Sequence, residues 1–430
     1  MVPRPTLLEE TGLSETFVAD LIAKHLLDKG AMTLGDLSRE LAITGSIAES
    51  TLNFMRSEAR IEVRPSHGMD SKLSYTLTER GRVSAMDAMV RSGYLGPCPI
   101  PVKQYAQISR AQTIHRRSVT QDGMRAAFED VVLDGRMLDR LGPALNSGRA
   151  IFIYGPAGTG KTYISQRLCR LFYHPTLVPH AIAIGEHVVQ VFDPLVHKQV
   201  HQKIGDDWLK LEKGYDPRFA ICERPVVITG GELTAEMLEV HYDPSSKLFE
   251  APLQLKANNG MFIIDDMGRQ KVPPEVIFNR WIVPMEERRD YLTLGSGRHF
   301  TVPFDVILIF STNIHPLDLA EEAFLRRIGY KIRFGTLTPS QYERIWRDAC
   351  NTYDVEYDAR VLEYVINELH MKERVALLPC HPRDLLGMAV DHAVYEENSR
   401  RVSTDHLRWA WDNYFVSVDE HKHSTGRQMP

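Results

Sequence analysis

An apolar run that leads directly into a glycine-rich loop constrains this chain more than any other feature of its sequence. Residues Ile151–Tyr154 read as a buried strand, and the next eight residues fit the pattern G-x(4)-G-K-[ST]. Small residues let such a loop wrap its backbone N–H groups around phosphates, and the N-terminus of the following helix adds positive potential. The predicted phosphate-binding residues are Gly155, Pro156, Ala157, Gly158, Thr159, Gly160, Lys161 and Thr162.

Two side chains of this loop have individual predicted roles. Lys161 places a positive charge on the β- and γ-phosphates of a nucleotide, and the Thr162 hydroxyl can ligate Mg²⁺. A strand before the loop and a helix after it are the context in which this motif binds nucleotides. The sequence therefore predicts ATP and Mg²⁺ as ligands.

A second predicted strand ends in two carboxylates. Four apolar residues, Met261–Ile264, precede Asp265 and Asp266. In open α/β sheets, ligands bind at the carboxyl ends of the strands. Asp265 is therefore predicted to hold Mg²⁺, and Asp266 to polarise the attacking water. The alternative is a pair of solvated aspartates in a loop.

The chain is long enough, at 430 residues, for two or three domains. Short strands alternate with helical patterns in its middle, which predicts an α/β fold with a parallel sheet between helices. The predicted division is residues 1–92, a winged-helix-like α+β domain; 93–104, a stiff proline-rich linker; 105–335, the α/β nucleotide-binding core; 336–420, an all-helical region; and 421–430, a disordered tail.

The N-terminal prediction depends on three helices followed by a β-hairpin, the order of a winged helix-turn-helix. The helices are predicted at Ser14–Lys29, after a cap at Thr33, and at Ser46–Glu58. The strands are predicted at Ile61–Arg64 and Leu73–Leu77, with a turn at Pro65–Asp70 between them. Acidic residues are interspersed with the basic ones, whereas DNA readers cluster their Lys and Arg. Protein docking or ring assembly is therefore favoured, and DNA contact through residues 14–91 stays open.

Beyond the two phosphate-site motifs, the chain resembles the AAA+ family of P-loop ATPases over about Tyr105–Val418. A third buried strand, Val306–Phe310, ends in polar residues that match the family's sensor 1, with Asn313 at the sensor position. The resemblance implies that the Asn313 amide orients the attacking water or bonds the γ-phosphate.

The segment before the next strand resembles the paired arginines of the same family. In that family such arginines reach into the neighbouring subunit and stabilise transition-state charge. The resemblance implies that Arg326 or Arg327 plays this part, and that the chain forms a homo-oligomeric ring, a hexamer by family expectation. The alternative for two arginines on a helix is a solvated face.

The C-terminal helices resemble the AAA+ lid, which implies that Arg383, at the start of its third helix, contacts the nucleotide as sensor 2. A predicted hairpin, Tyr291–Leu294 with His299–Val302, resembles the pre-sensor-1 hairpin of unfoldases, MoxR-type chaperones and the Holliday-junction branch-migration motor. Its tip often faces the pore of such rings. The whole arrangement also resembles an uncharacterised group of bacterial ATPases described as chaperone-like.

Two departures from the family pattern bear on function. The family usually has Glu where this chain has Asp266, and the shorter side chain sets the carboxylate back by about one C–C bond, ~1.5 Å. The shorter side chain is the reason for one hypothesis given below, a nucleotide switch that hydrolyses ATP slowly. About a hundred residues separate Lys161 from Asp265, and an insertion is predicted there.

Composition bears on the binding partners and the cellular compartment of the protein. The net charge of −5 gives no overall field that would attract nucleic acid or anionic lipid. Five scattered cysteines without a C-x-x-C pair favour a reducing cytoplasm, and the apolar runs are too short to span a bilayer. Three hypotheses follow: an ATP-driven machine that remodels a protein substrate, a DNA-binding motor or regulator, and a slowly hydrolysing nucleotide switch.

Overall fold

The computed structural model of the protein describes residues 2–65, 73–116, 118–200 and 215–415. Its N-terminal part contains α1 (Leu8–Thr11), α2 (Glu15–Lys29), β1 (Met32–Thr33), α3 (Leu34–Glu40), α4 (Gly45–Ser57), β2 (Ile61–Pro65), β3 (Leu73–Leu77) and α5 (Glu79–Arg91). Side-chain caps explain where these helices begin, because Ser14, Thr33 and Thr78 each accept a backbone N–H of the first turn. The three strands form an antiparallel sheet in the order β1-β3-β2. The predicted turn after Pro65 falls outside the described residues.

The segment predicted to be a linker, residues 93–104, is packed against the rest of the molecule. Cys98 is fully buried, β4 (Ile100–Pro101) pairs with a strand further along the chain, and α6 (Val102–Ala111) begins inside the predicted linker. The prolines were predicted to keep this backbone extended, but the chain bends at Gly96 and Pro97, and apolar residues between the prolines are drawn into a core. The prediction of a spacer was therefore wrong for this segment.

The centre of the molecule is a five-stranded parallel sheet with helices on both faces. After α7 (Gln121–Ala127) and α8 (Gly135–Ser147), the chain enters it at β5 (Ile151–Tyr154), which leads through the loop to α9 (Lys161–Leu168). The elements between α9 and the C-terminal helices are β6 (Thr176–Pro179), β7 (Ala181–Ile184), β8 (His187–Gln190), β9 (Phe219–Cys222), β10 (Val226–Thr229), β11 (His241–Asp243), β12 (Leu248–Glu250), α10 (Leu253–Lys256), β13 (Met261–Ile264), α11 (Pro274–Glu287), β14 (Arg289–Thr293), β15 (His299–Pro303), β16 (Ile307–Thr312), α12 (Pro316–Leu319), α13 (Glu322–Leu325) and β17 (Tyr330–Arg333).

The central sheet has the order β10-β13-β16-β5-β17, and every pair in it is parallel. Successive side chains along each strand point to opposite faces of the sheet and enter two apolar cores. Phe152, Phe262 and Phe310 pack with α11 and α13 on one face, while Ile153 and Ile309 pack with α8 and α9 on the other. The predicted α/β fold, with a parallel sheet between helices, is confirmed.

The strand order places a crevice beside β5. The chain adds β10, β13 and β16 on one side of β5 and then crosses to add β17 on the other. Ligands of open α/β sheets bind where the strand order reverses in this way, outside the carboxyl ends of the strands. The glycine-rich loop begins at that point.

The predicted insertion is a β-rich layer. It contributes the antiparallel pair β6-β9 and four strands of a five-stranded sheet of order β11-β12-β8-β7-β4, whose edge strand β4 comes from before the central sheet. The hairpin β14-β15 is present as predicted, and Leu292, Leu294 and Val302 on one side of it are buried against this layer. The N-terminal helices share their core with Ala181 and Val188 of the same layer.

The C-terminal helices form a core of their own. They are α14 (Pro339–Tyr353), α15 (Ala359–Tyr364), a π-helix (Val365–Met371), α16 (Cys380–Glu397) and α17 (Thr404–Tyr414). Thr338 begins the first of them with a capping box, and Pro339 stands at the first helical position. The predicted disordered tail, 421–430, falls outside the described residues. Among the described residues, no helix has both the length and the apolar character that crossing a membrane requires.

Candidate nucleotide-binding site

The loop 155–160, the two aspartates after β13 and Asn313 after β16 meet at the carboxyl edge of the central sheet. β5 lies directly beside β16, and β16 lies directly beside β13, so the polar residues that follow these strands are neighbours. Side-chain hydrogen bonds join Lys161, Asn313 and Asp266 in one row, and another joins Thr162 to Asp265 beside it. The sequence motifs therefore converge on a single site.

The glycines of the loop have backbone conformations that other residues rarely adopt. Gly155, Gly158 and Gly160 have φ values of 145°, 77° and 80°. A Cβ at Gly155 would collide with the backbone carbonyl of Phe334, whereas a Cβ at Gly160 would meet no atom within 4 Å. Gly160 therefore leaves open space at the N-terminus of α9, where backbone N–H groups attract anions.

Lys161 is held at the centre of this loop and is only 6% exposed. Its ammonium donates hydrogen bonds to the carbonyl oxygens of Gly155 and Pro156, at 3.0 and 2.8 Å, and to Oδ1 of Asn313 at 2.5 Å. Burial lowers the pKa of Lys161, and the charges of Asp265 and Asp266 oppose that shift. The result is a shielded cation at the place where the motif requires phosphate.

Thr162 and Asp265 supply two oxygen ligands side by side. The Thr162 hydroxyl donates to Oδ2 of Asp265 at 2.6 Å, and the backbone N–H of Asp265 is fixed by the carbonyl of Thr229 at 2.7 Å. Hydroxyl and carboxylate oxygens suit Mg²⁺, which binds through a few protein ligands and keeps its waters and substrate phosphates as the others. The residues present therefore fit the predicted Mg²⁺ site.

Asp266 is exposed and lies next to the predicted sensor. Nδ2 of Asn313 donates to its Oδ1 at 3.2 Å, so Asn313 bridges Asp266 and Lys161. The φ of Asp266 is 47°, in the left-handed region that Asp and Asn tolerate better than longer side chains do. This backbone conformation favours Asp at a position where the AAA+ resemblance leads one to expect Glu.

Gln270 is part of the site but was not among the predicted residues. Its amide donates to the carbonyls of Gly230, Asp265 and Asp266, at 3.2, 3.1 and 3.3 Å, and its Oε1 accepts the N–H of Gly268. It therefore holds the loop that carries both aspartates. A glutamine in a loop has no sequence signature, so only the folded contacts identify it.

The two arginines differ in their surroundings, and neither makes a recorded hydrogen bond to the loop 155–162. The side chain of Arg326 is 76% exposed, and within the described part of the chain its ion-pair partner is Glu322, one turn away. Arg327 is 35% exposed and donates to Glu286 of α11 at 2.5 Å and to a backbone carbonyl of its own helix. Both line a cleft of about 410 Å³ together with Arg149 and Arg288.

The C-terminal helices touch the loop at Cys380. Its backbone N–H donates to the carbonyl of Gly158 at 3.3 Å, and a Cβ at Gly158 would collide with its sulfur. Arg383 is exposed, one turn further along α16. The next residue, Asp384, accepts a hydrogen bond from the hydroxyl of Tyr414 at 3.0 Å.

Comparison with known proteins gives one family match and several distant structural similarities. Residues 338–413, which comprise the C-terminal helices, match a family described as a domain of unknown function, DUF8689. No curated protein is significantly similar to this chain.

Among solved structures, the RuvB Holliday junction branch migration motor of Thermotoga maritima is 13% identical, with a TM-score of 0.37 over 70% of this chain and 78% of that one. Its K64R mutant is 12% identical, with a TM-score of 0.40 over 69% and 76%. NtrX from Brucella abortus is 11% identical, with a TM-score of 0.40 over 73% of this chain and 59% of its own. Nothing about the activity of this chain follows from similarity at this level.

Proposed function

We propose that this protein is a Mg²⁺-dependent ATPase of the AAA+ type that remodels a protein substrate. One observation supports this most strongly. Lys161, Asn313 and Asp266 form a continuous hydrogen-bonded row, and Thr162 and Asp265 pair beside it, all at the point where the strand order reverses. A cation, a metal-ligand pair, a carboxylate and an amide are the groups that phosphoryl transfer to water needs.

Each group has a distinct task in this proposal. The Lys161 ammonium exchanges its loop carbonyls for phosphate oxygens of ATP, while Thr162 and Asp265 hold Mg²⁺. When bound, Mg²⁺ neutralises charge on the phosphates. The Asp266 carboxylate accepts the proton of the attacking water, and Asn313 keeps that water in line through its amide.

An arginine of a neighbouring copy completes the site. Of the two candidates, Arg326 has the freer side chain, because an exposed i,i+4 pair with Glu322 holds it only weakly. The cleft that Arg326 shares with Arg149, Arg288 and Arg327 presents several positive charges to an anionic partner. Assembly into a ring is therefore part of the proposal, with six copies as the expectation from the family.

A protein substrate is favoured over DNA by the charges of the N-terminal helices and strands. Arg60 is buried against Asp20, at 2.7 Å, and Arg64 pairs with Glu62 at 3.1 Å. Arg60 is therefore not available to a phosphate, and Glu62 offsets the charge of Arg64, whereas DNA binding depends on clustered basic side chains. The winged-helix-like region, residues 1–92, is therefore proposed as a docking or assembly module.

The test is the rate of ATP hydrolysis as a function of protein concentration, with mass photometry to report assembly. We expect the rate per chain to rise as the ring assembles and to be indifferent to duplex DNA at low salt. Lys161→Ala should abolish tight nucleotide binding. A rate that does not change with assembly contradicts the shared site, and a rate that rises on adding DNA favours the motor hypothesis instead.

The slow nucleotide switch has its own supporting observation, the short carboxylate of Asp266. In Asp266→Glu the carboxylate reaches further, but the left-handed backbone at this position disfavours the longer side chain. Faster turnover in that variant would support a switch that Asp266 keeps slow. Asp266→Asn tolerates the same backbone, and in the ATPase proposal it binds ATP normally while turnover falls by about 10²–10⁴-fold.

A further inference from the structure

A cluster of metal-ligating side chains lies between the last two helices, away from the nucleotide site. His392 and Glu396 are one turn apart on α16, and His406 is in the first turn of α17. One ligand atom from each of the three lies within 4.8 Å of the other two. Two imidazoles and a carboxylate form a donor set that zinc enzymes use with water as the fourth ligand.

The spacing of these atoms is that of ligands around an ion. Nε2 of His392 is 3.4 Å from Oε1 of Glu396, and Nε2 of His406 is 3.4 Å from Oε2 of the same carboxylate. Good N–H···O hydrogen bonds are about 2.7–3.2 Å long. Two ligands of a tetrahedral ion with bonds of about 2.0–2.1 Å are about 3.3–3.4 Å apart. Both contacts are therefore long for hydrogen bonds and have the length of a tetrahedral edge, each imidazole facing a different oxygen of Glu396.

The surroundings orient both imidazoles. The ring of His392 stacks on the indole of Trp409, with centroids 4.0 Å apart and planes 5° from parallel. The side chain of His406 is 4% exposed, whereas that of Glu396 is 49% exposed. Two ligands are therefore fixed by packing, and the third closes the site from the solvent side, where water can complete the coordination.

One contact must change for a metal to bind. Nδ1 of His406 accepts the backbone N–H of Ser403 at 3.2 Å. A neutral histidine that binds an ion through Nε2 carries its proton on Nδ1, so this capping bond is lost. Loss of this one capping contact is a small cost beside the binding of an ion by three direct protein ligands.

We propose that His392, Glu396 and His406 bind a divalent transition-metal ion of the Zn²⁺ class, which cross-links α16 to α17. Imidazole nitrogens favour such ions over Mg²⁺. His392 follows Cys380 by twelve residues along α16, a distance of about 18 Å at 1.5 Å per residue. The site is therefore separate from the proposed Mg²⁺ site, and its role is to stiffen the C-terminal helices.

The test uses the full chain, stripped with a chelator and titrated with ZnCl₂ in excess Mg²⁺, with bound zinc counted by mass spectrometry. His392→Phe keeps a ring against Trp409 but removes a ligand, and Glu396→Gln changes an exposed side chain with little effect on packing. Glu368→Gln, at an exposed glutamate paired with Lys372, is the matched control. Circular dichroism checks that all four proteins are folded.

We expect the wild type and Glu368→Gln to hold one more tightly bound Zn²⁺ per chain than the two site variants. Loss of a direct ligand should weaken binding by at least about 100-fold, the upper range for loss of an outer-shell partner. Zinc should also raise the unfolding temperature of the wild type and of Glu368→Gln only. Equal zinc content in all four proteins would overturn the proposal and leave a cluster held by ion pairs. Because ATP hydrolysis is not the readout, failure here leaves the proposed ATPase function untouched.

Discussion

At the scale of single residues, the two adjacent arginines after α13 differ in exposure and in their ion-pair partners. Arg326 and Arg327 are adjacent, yet one is exposed beside Glu322 and the other joins α13 to α11 through Glu286. The paired-arginine pattern predicts the location of both but cannot rank them, because their partners come from other parts of the fold. The contacts favour Arg326 as the residue that acts on a neighbour and Arg327 as a structural link.

This difference leads to a matched pair of variants. In Arg326→Ala we expect turnover in the assembled protein to fall by about 10³-fold or more, the effect of removing an arginine finger, with the unfolding temperature nearly unchanged. In Arg327→Ala we expect a lower unfolding temperature, because the bond to Glu286 is lost. ATPase assays and thermal unfolding of both proteins provide the measurements. The opposite pattern, with turnover lost only in Arg327→Ala, would assign the finger to Arg327.

The residues of the nucleotide site were predictable to different degrees. Lys161, Thr162 and Asp265 belong to local motifs, and the structure brings them together at the edge of the sheet. Gln270 and Cys380 were not predicted, because each matters through contacts with segments distant in the sequence or with backbone carbonyls. No local pattern encodes such contacts.

At the scale of elements, the start of α16 lies directly on the phosphate loop. The backbone of Cys380 bonds to Gly158, and its sulfur occupies the space that a Cβ on Gly158 would need. A movement of α16 must therefore displace the loop, and a movement of the loop must displace α16. This contact is a physical route by which the C-terminal helices can respond to a bound phosphate.

Gly158→Ala tests this route. We expect it to displace α16 and to weaken ATP binding by about tenfold or more, because the new methyl group collides with Cys380 and the left-handed backbone costs about 1–2 kcal/mol. Gly297→Ala is the control, since Gly297 has a similar φ of 80° but open space around it. Isothermal titration with ATP measures both. The double variant Gly158→Ala with Cys380→Ala should regain part of the affinity, and no recovery would mean that backbone strain alone is responsible.

A buried histidine beside this contact makes the C-terminal helices sensitive to acid. Burial lowers the pKa of His381 from 6.5 to about 4. The unfolded chain therefore binds a proton on this side chain between pH 6.5 and 4, whereas the folded chain does not. The contribution of His381 to the free energy of unfolding is therefore largest above pH 6.5 and is lost as the pH falls towards 4.

The measurement is urea unfolding followed by tryptophan fluorescence, which Trp346 and Trp411 of the same core report. His381→Phe keeps the contacts with Tyr414 and Phe415 but cannot take up a proton. We expect its stability to vary less between pH 6.5 and 4 than that of the wild type. His299→Phe, at an exposed site, is the control. Identical pH dependence in His381→Phe and the wild type would contradict the assignment.

At the scale of the whole molecule, an ion pair inside the protein joins three segments. Arg218 and Asp216 are both fully buried in their side chains and bond at 2.8 Å. Arg218 also donates to the carbonyl of Thr11 at 3.1 Å and to Oε1 of Gln104 at 3.3 Å. Arg218 therefore links the N-terminal helices, α6 and the inserted layer through its hydrogen bonds.

Arg218→Ala should reduce the free energy of unfolding by about 3–5 kcal/mol, because it leaves the charge of Asp216 buried without a partner. Arg64→Ala removes an arginine from an exposed pair with Glu62, and we expect it to cost about 0–1 kcal/mol. Chemical denaturation measures both, and limited proteolysis reports whether the chain near Thr11 becomes accessible. A cost for Arg218→Ala no larger than that of Arg64→Ala would show that the pair does not fasten the segments.

Local signals and long-range contacts account for what the sequence does and does not reveal about the fold. Caps at Ser14 and Thr338 predict helix starts to within a residue. The helix that begins at Ala359 widens into a π-helix at Val365, where His370 bonds to the Tyr342 hydroxyl, and this contact comes from another helix of the same core. In the inserted layer, β7 and β8 coincide with apolar runs that read as strands in the sequence, whereas β6 and β9 depend on pairing with each other across a long stretch of chain.

The position of β5 in the central sheet has a consequence for how the chain is made on the ribosome. β5 leaves the ribosome before β16 and β17, yet these two strands are its only neighbours in the sheet of the described residues. At about 5–20 residues per second, β5 waits on the order of ten seconds or more for both partners. During synthesis, the strand that carries the glycine-rich loop is therefore an apolar segment without its sheet partners, and an exposed apolar strand of this kind favours aggregation until β16 and β17 have been made.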